Sequence, residues 1–236
     1  MTKPLLESIG YTLGRTAAQA KNAFDLMGGS EEESLRAEIR LGCDLEAAVV
    51  ERTPLMHENE TTRFASQILR WLAPRVRERK LPYTVRVTAE HGMNAFALPG
   101  GPIFVSWPLL TICGGERDEI AFLLAHEIAH IVMRHALDRL IKDAAISLLL
   151  RKSSGRGAAS AWLNQVGRHE LSRAYSPEDE FEADAYAVAL LKTAGGELGA
   201  EERFLHKLGP QISGHYLASH PGIGQRTANL RSAGVY

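Results

Sequence analysis

The sequence has little cysteine, no excess of charge and no long apolar run. Its two cysteines, Cys43 and Cys113, are too few and too far apart for a disulfide framework, so we expect two free, buried thiols. The formal net charge is −1 over 236 residues. Because that balance creates no long-range field toward phosphate groups, a nucleic-acid partner is not expected.

Apolar segments long enough for a membrane are also missing. A transmembrane helix needs roughly 20 predominantly apolar residues, and a secretory signal needs an apolar segment behind a basic N-terminus. Residues 1–16 offer no such segment, and apolar runs such as 148–150 are short. We therefore expect no integral membrane segment and a cytoplasmic protein. The sequence does not give the oligomeric state.

Helical periodicity dominates the chain, with one region of strands. Residues 83–88 alternate between polar and apolar, and two apolar strands at 94–98 and 103–106 flank a Pro-Gly-Gly-Pro turn typical of a hairpin. The other periodic segments predict helices at 1–30, 31–52, 60–79, 117–141, from Pro177 to Gly195, at 199–208 and at 222–232, and the composition of 151–160 indicates a loop. The sequence thus predicts a single compact α+β domain, mainly helical, with a small antiparallel sheet.

The chemistry is concentrated in His126-Glu127-Ile128-Ala129-His130, inside an apolar helix. Histidines four apart lie about 6 Å apart along a helix on one face, so both rings can reach one ion. Glu127 is rotated by about 100° from His126, which directs its carboxylate toward a water molecule rather than to the metal. Burying these charges without a partner would cost several kcal/mol, and a zinc ion solves that problem.

A third ligand is expected from a second helix. His135 lies nine residues after His126, about 180° around a continuous helix, and is predicted to point away as a core or surface histidine. Glu180 and Asp184 share one face of the helix after Pro177, so Glu180 can bind zinc while Asp184 holds the far nitrogen of a ligand histidine. Glu182 is the rival ligand, rotated by about 200° from Glu180.

Four ordered motifs resemble the gluzincin metallopeptidase family that includes the CaaX prenyl protease and the heat-shock protease HtpX. They are the segment 94–101, the H-E-x-x-H at 126–130, Glu180-x-x-Ala183-Asp184, and Ser219-His220-Pro221 followed by Arg226. The resemblance covers about residues 83–236 and implies a zincin-like fold with the sheet beside the H-E-x-x-H helix. It suggests a metallopeptidase domain at 81–236, with 1–80 as a helical region packed on it.

The resemblance implies a zinc endopeptidase that acts on peptides or unfolded proteins. One zinc ion per chain is expected on His126, His130 and Glu180, with Glu127 as the general base for a zinc-activated water. Many family members carry membrane helices where this chain has residues 136–176, which are too polar to span. The family's Ser-Arg before the glutamate helix is Ser176-Pro177 here, so the role of that arginine does not carry over.

Several further assignments stay open. His220, Arg226 and Tyr216 are candidate donors to the tetrahedral intermediate, but His220 could instead bind the metal and hold a latent state. Asn94 and Ala95 are candidates for pairing with an extended substrate, and the 151–160 loop either gates the cleft or is a linker. His215 is expected at the surface.

Two other kinds of function are weighed against an active peptidase. A latent or inactive zinc-bearing protein of the same fold could bind unfolded chains as a holdase, although the intact Glu127 argues against it. A peripheral membrane protein anchored by residues 1–25 is disfavoured because that segment has few basic residues.

Overall fold

The computed structural model describes residues 30–142, 174–209, 216, 220 and 222–232. The helices are α1 (Glu31–Val50), α2 (Glu60–Leu72), α3 (Trp107–Ile112), α4 (Arg117–Val132), α5 (His135–Lys142), α6 (Pro177–Ala194), α7 (Ala200–Lys207) and α8 (Ile223–Ser232). The strands are β1 (Thr84–Thr88), β2 (Ala95–Ala97) and β3 (Pro102–Ser106). The predicted helical region 1–30 lies almost wholly outside the described residues, as do the 151–160 loop and His215.

Helix α4 is the centre of the molecule. Every residue from Glu119 to Ile131 is buried, because α6, α7, α2 and the sheet pack around it. Its closest partner is α6, whose buried face includes Ala183 and Ala187. These small side chains let the two helix backbones approach, so ligands projecting from both helices can meet between them.

The sheet lies between two apolar clusters. Ala95, Ala97, Ile103 and Val105 face the large core around α4. On the opposite face, Phe96 and Phe104 stack with ring centroids 5.0 Å apart and pack with α1 and α5. This alternation is what a strand buried on both faces requires.

The predicted sheet was correct in its strands but wrong in being antiparallel throughout. Strands β2 and β3 form the predicted antiparallel hairpin, but β1 pairs with β3 in parallel, giving the order β1-β3-β2. The alternating pattern of β1 fixes its faces but not its direction, and the connection 89–94 carries the chain across to the far side of β3. One consequence matters for function: β2 is an edge strand beside α4.

The predicted helix 117–141 is also corrected. It ends at Val132 because Arg134 adopts the left-handed conformation, with φ 65°, and α5 begins in a new direction at His135. The predicted helix 60–79 ends at Leu72 and continues only as a short 3-10 turn, Ala73–Arg75. Capping boxes at Ser30 and Ser176 fix the starts of α1 and α6.

The cysteine prediction holds in part. Both thiols are free, and Cys113 is buried, but Cys43 is exposed on the outer face of α1. Burial raises the pKa of the Cys113 thiol to about 12. Among the helices in the described part of the chain, none has both the length and the apolar character that a membrane crossing requires. The division at residues 80 and 81 stays a prediction.

Candidate metal centre and active site

The H-E-x-x-H histidines converge as their spacing predicts. His126 and His130 lie one turn apart on α4 and are fully buried. Their Nε2 atoms are 3.1 Å apart and face the same point. Because nitrogen lone pairs repel each other at that separation, a cation between them is the natural stabilising element.

Glu180 reaches the same point from α6. Helix α6 begins at a capping box formed by Ser176 and Asp179, with Pro177 at its first position. This start places Glu180 in the first turn of α6, on the face toward α4. Glu180 Oε1 lies 3.4 Å from His130 Nε2, and Glu180 Oε2 lies 3.6 Å from His126 Nε2. The rival Glu182 points outward, with 65% of its side chain exposed.

His220 completes the cluster. Its Nδ1 lies 3.2 Å from His126 Nε2 and 3.0 Å from Glu180 Oε1. Donor atoms of four buried side chains, His126, His130, Glu180 and His220, thus lie within 4.8 Å of one another. The ring of His220 stacks on Tyr216 with centroids 4.6 Å apart.

This group fits a zinc ion. Ligand atoms at about 2.0–2.1 Å from one tetrahedral zinc lie about 3.3–3.4 Å from each other. The separations between facing donor atoms run from 3.0 to 3.6 Å. Three imidazoles and one carboxylate are also donors that zinc accepts.

Each ligand histidine has a partner for its other nitrogen. His126 Nδ1 lies 2.9 Å from Asp184 Oδ1, the predicted partner. Such contacts fix the tautomer that leaves Nε2 free for a metal. His220 Nε2 lies 3.4 Å from the carbonyl oxygen of Ala95 and 3.5 Å from Glu127 Oε1.

Arg226 lies behind the ligands. Its Nε and Nη2 donate to the two carboxylate oxygens of Asp184 at 2.8 and 2.6 Å, and its Nη1 lies 2.9 Å from Glu180 Oε2 without hydrogen-bond alignment. All three side chains are fully buried. The guanidinium therefore places one positive charge beside both carboxylates of α6, and its contacts are with protein groups.

Glu127 faces the cluster from α4. It is fully buried, and neither carboxylate oxygen has a hydrogen-bond partner among the described residues. Burial raises the pKa of its carboxyl, and the nearby His220 and His126 partly oppose that rise. A buried carboxylate with a raised pKa and no hydrogen-bond partner among the described residues is suited to accept and return a proton.

The ionisation of the other groups suits ligand chemistry. Burial lowers the pKa of His130 well below its usual value, which favours the neutral imidazole that binds metal. Burial alone would raise the pKa of Glu180, but the charges of His220 and Arg226 hold it well below its usual range. Burial would also raise the pKa of Asp184, and Arg226 reverses that effect. Both acids are therefore carboxylates.

The edge of β2 lines the cluster where Asn94 and Ala95 were expected. The Asn94 carbonyl accepts a hydrogen bond from the Ser106 amide of β3. Because successive carbonyls of a strand point to opposite sides, the Ala95 carbonyl faces the outer edge of β2. That carbonyl meets His220, and the Met93 carbonyl accepts from the Tyr216 amide at 2.8 Å. Asn94 Oδ1 has no hydrogen-bond partner in the part of the chain that the structure describes.

Sequence reasoning missed two residues at the site. His135 was predicted to point away, but its Nδ1 lies 3.1 Å from His130 Nδ1. The extrapolated helical angle failed because the helix breaks at Arg134. Tyr175 stacks on His130 with ring centroids 3.8 Å apart, and its position just before the cap of α6 was the available signal.

Comparison with known families decides the relationship. The model of peptidase family M48 matches residues 58–233. The chain belongs to peptidase family M48. Metallopeptidases of family M48 use zinc, so the expected cofactor is confirmed, and the buried His-His-Glu-His group is able to bind it.

Relatives of this M48 chain are named as metalloendopeptidases and proteases. Mitochondrial metalloendopeptidase OMA1 of Schizosaccharomyces pombe is 32% identical over 138 residues, 57% of this chain and 40% of that protein. The β-barrel assembly-enhancing protease of Escherichia coli K12 is 25% identical over 243 residues, covering 94% of this chain and 50% of that protein. The chain thus spans half or less of the length of these two relatives.

A solved structure also aligns with this M48 chain. The crystal structure of S. mikatae Ste24p gives a TM-score of 0.42 at 18% identity, over 96% of this chain and 63% of that one.

Proposed function

We propose that this M48 protein is a zinc metalloendopeptidase of the gluzincin type that hydrolyses peptide bonds in peptides or unfolded proteins. One observation carries the proposal: donor atoms of His126, His130 and Glu180 face a single point between α4 and α6 at tetrahedral separations. We assign the zinc ion to these three residues. When bound, the ion supplies Lewis-acid polarisation of the scissile carbonyl and makes a water molecule more acidic.

Glu127 moves the proton. Its carboxylate accepts a proton from the attacking water and returns it to the leaving amine nitrogen. The proposal is supported by its position next to His126 on α4 and by oxygens that no described protein group occupies. Because the surrounding residues exclude solvent, the carboxylate keeps its basicity until substrate arrives.

Asp184 and Arg226 hold the ligands in place. Asp184 fixes the His126 tautomer, and Arg226 keeps the carboxylates of Asp184 and Glu180 ionised. Arg226 was a candidate donor to the tetrahedral intermediate. Because its Nε and Nη2 donate to Asp184 and its Nη1 lies 2.9 Å from Glu180 Oε2, we assign it a role through those residues rather than on the substrate.

Substrate is proposed to add to the outer edge of β2. An extended peptide can pair with an edge strand through its backbone, and the Ala95 carbonyl is only weakly paired there. Asn94 Oδ1, which has no hydrogen-bond partner among the described residues, is a further acceptor for the substrate. In the described arrangement His220 and the Tyr216 amide take the edge carbonyls of Ala95 and Met93. A substrate strand can therefore pair with these carbonyls only after His220 and Tyr216 move away from them.

That observation favours a latent form as the second candidate function. A catalytic zinc site keeps a position open for water, whereas four protein ligands close it. His220 supplies the fourth donor atom and also covers the β2 edge. The protein could thus bind zinc and remain inactive until His220 leaves, or act as an inactive holdase.

The proposal is tested by cleavage of unfolded casein by zinc-loaded protein. We expect Glu127→Gln to lose about 10²–10⁴-fold in rate, the range for general acid–base catalysis, while its zinc content stays that of the wild type. Glu178→Gln, an exposed glutamate on α6, is the matched control and should cleave normally. Full activity in Glu127→Gln would refute the assigned base.

A further inference from the structure

The nitrogen of His130 that faces away from the donor cluster, Nδ1, contacts an imidazole. The corresponding nitrogen of His126 contacts the carboxylate of Asp184. Helix α4 ends at Val132, and the left-handed Arg134 turns the chain so that His135 opens α5 beside His130. This turn is anchored to α1, because Arg134 Nη2 donates to Ser34 Oγ at 3.3 Å and Arg134 Nε lies 3.8 Å from Glu38. The His135 ring folds back and its Nδ1 lies 3.1 Å from His130 Nδ1.

We propose that His135 is a positioning residue that sets the tautomer and ring orientation of His130 for zinc. The inference deepens the proposed function and rests on it. It adds one residue that acts through His130 and does not itself reach the metal, since its Nδ1 contacts the outer nitrogen of His130.

A metal on His130 Nε2 would set the tautomers of both rings. His130 Nε2 faces the donor cluster, so a metal-binding His130 carries its proton on Nδ1. That N–H donates to His135 Nδ1, which must then be the unprotonated nitrogen of a neutral ring. The proton of His135 lies on Nε2, which faces Asp179 Oδ1 and Glu182 Oε2 at 3.5 Å each. The two carboxylates thus favour the His135 tautomer that His130 needs.

The plane of His130 is fixed from a second direction. Tyr175 stacks on its ring with centroids 3.8 Å apart and the planes only 13° apart, and Arg139 Cζ lies over the Tyr175 ring, 4.4 Å from its centroid. Stacking fixes the ring plane but leaves a flip within that plane possible. The hydrogen bond to His135 removes that freedom, because a flipped ring would turn Nδ1 away from it.

The neutral partner also suits the local charge. Glu127, Glu180 and Asp184 already bring three buried carboxyl groups to the site, with Arg226 as the buried cation. A further carboxylate against His130 would add like-charge repulsion in a low-dielectric interior. A histidine accepts the same hydrogen bond without adding negative charge, which explains why His126 and His130 have different partners.

The test is zinc affinity of the full chain, measured by competition with a chromophoric chelator. We expect His135→Ala to weaken zinc binding about 10- to 100-fold, the usual cost of losing such a partner. His135→Asn places an amide oxygen near the position of Nδ1 and should restore most of the affinity. His57→Ala, an exposed histidine, is the matched control and should bind as the wild type does.

A second readout separates positioning from general stability. Long-range ¹H–¹⁵N spectra of the zinc-loaded wild type should show His130 protonated on Nδ1, and in His135→Ala that resonance should shift or broaden. Wild-type affinity in His135→Ala, or equal losses in the Ala and Asn variants, would overturn the inference while leaving the proposed function intact. A wild-type chain that binds no zinc would overturn both.

Discussion

Arg226 Nη2 donates to Asp184 Oδ1 at 2.6 Å, inside a core where neither side chain reaches solvent. The same guanidinium lies against Glu180. One arginine of α8 therefore offsets part of the negative charge of two carboxylates of α6, one assigned to the metal and one to His126. The arrangement makes the stability of the protein depend on zinc in a measurable way.

Replacing this arginine should destabilise the metal-free protein. Arg226→Met leaves Asp184 and Glu180 buried without their cation, and removing one member of a buried ion pair costs about 3–5 kcal/mol in the free energy of unfolding. Zinc should reduce that loss, because it supplies positive charge beside Glu180. Urea unfolding with and without zinc measures both effects.

Arg231→Met is the control, since Arg231 lies on the same helix with 63% of its side chain exposed. An exposed ion pair contributes about 1 kcal/mol or less, so this variant should unfold close to the wild type. Equal losses from the two substitutions would contradict the role given to Arg226.

Removing His220 should activate the peptidase if the described arrangement is latent. His220→Ala opens the fourth position and uncovers the Ala95 carbonyl, while three ligands remain for zinc. If about one tenth of the molecules are open at equilibrium, casein cleavage should rise about tenfold. His206→Ala, an exposed histidine on α7, should have no effect. A fall in cleavage with intact fold and zinc content would instead make His220 the donor to the tetrahedral intermediate.

The approach of α1 to the hairpin turn depends on Gly42. A Cβ on Gly42 would lie 2.0 Å from the carbonyl oxygen of Pro99, a backbone atom that cannot move aside. Gly42→Ala should therefore lower the free energy of unfolding by about 1–3 kcal/mol, as overpacking does. On α8, a Cβ at Gly224 would have no atom within 4 Å among the described residues outside the local helix backbone. Gly224→Ala should gain up to about 1 kcal/mol, and a Gly42→Ala variant as stable as wild type would show that α1 shifts freely.

Local signals in the sequence predicted most of the individual elements. Pro177 and Gly195 marked both ends of α6, because a proline in the first turn and a left-handed glycine after the last turn act locally. The pairing of Glu180 with the H-E-x-x-H helix was predictable since both motifs sit on buried helical faces. The relative direction of distant elements was not predictable from local patterns. The alternation of Thr84–Thr88 identifies a strand but does not indicate that β1 runs parallel to β3.

The misplaced His135 shows where such reasoning fails. Helical angles extrapolate only while the helix continues, and Arg134 is not a residue that usually adopts positive φ. Its conformation is supported by Ser34 and Glu38, which lie about a hundred residues earlier in the chain. A contact of that kind is invisible to a local pattern.

The central claim is that His126, His130 and Glu180 together hold one zinc ion. The most direct test is zinc stoichiometry and affinity of the wild type, Glu180→Gln and the exposed control Glu178→Gln. The account predicts one ion per chain in the wild type and the control. For Glu180→Gln it predicts that the zinc affinity falls by more than the roughly 10- to 100-fold lost when a hydrogen-bond partner of a ligand is removed. Wild-type zinc affinity in Glu180→Gln would contradict it.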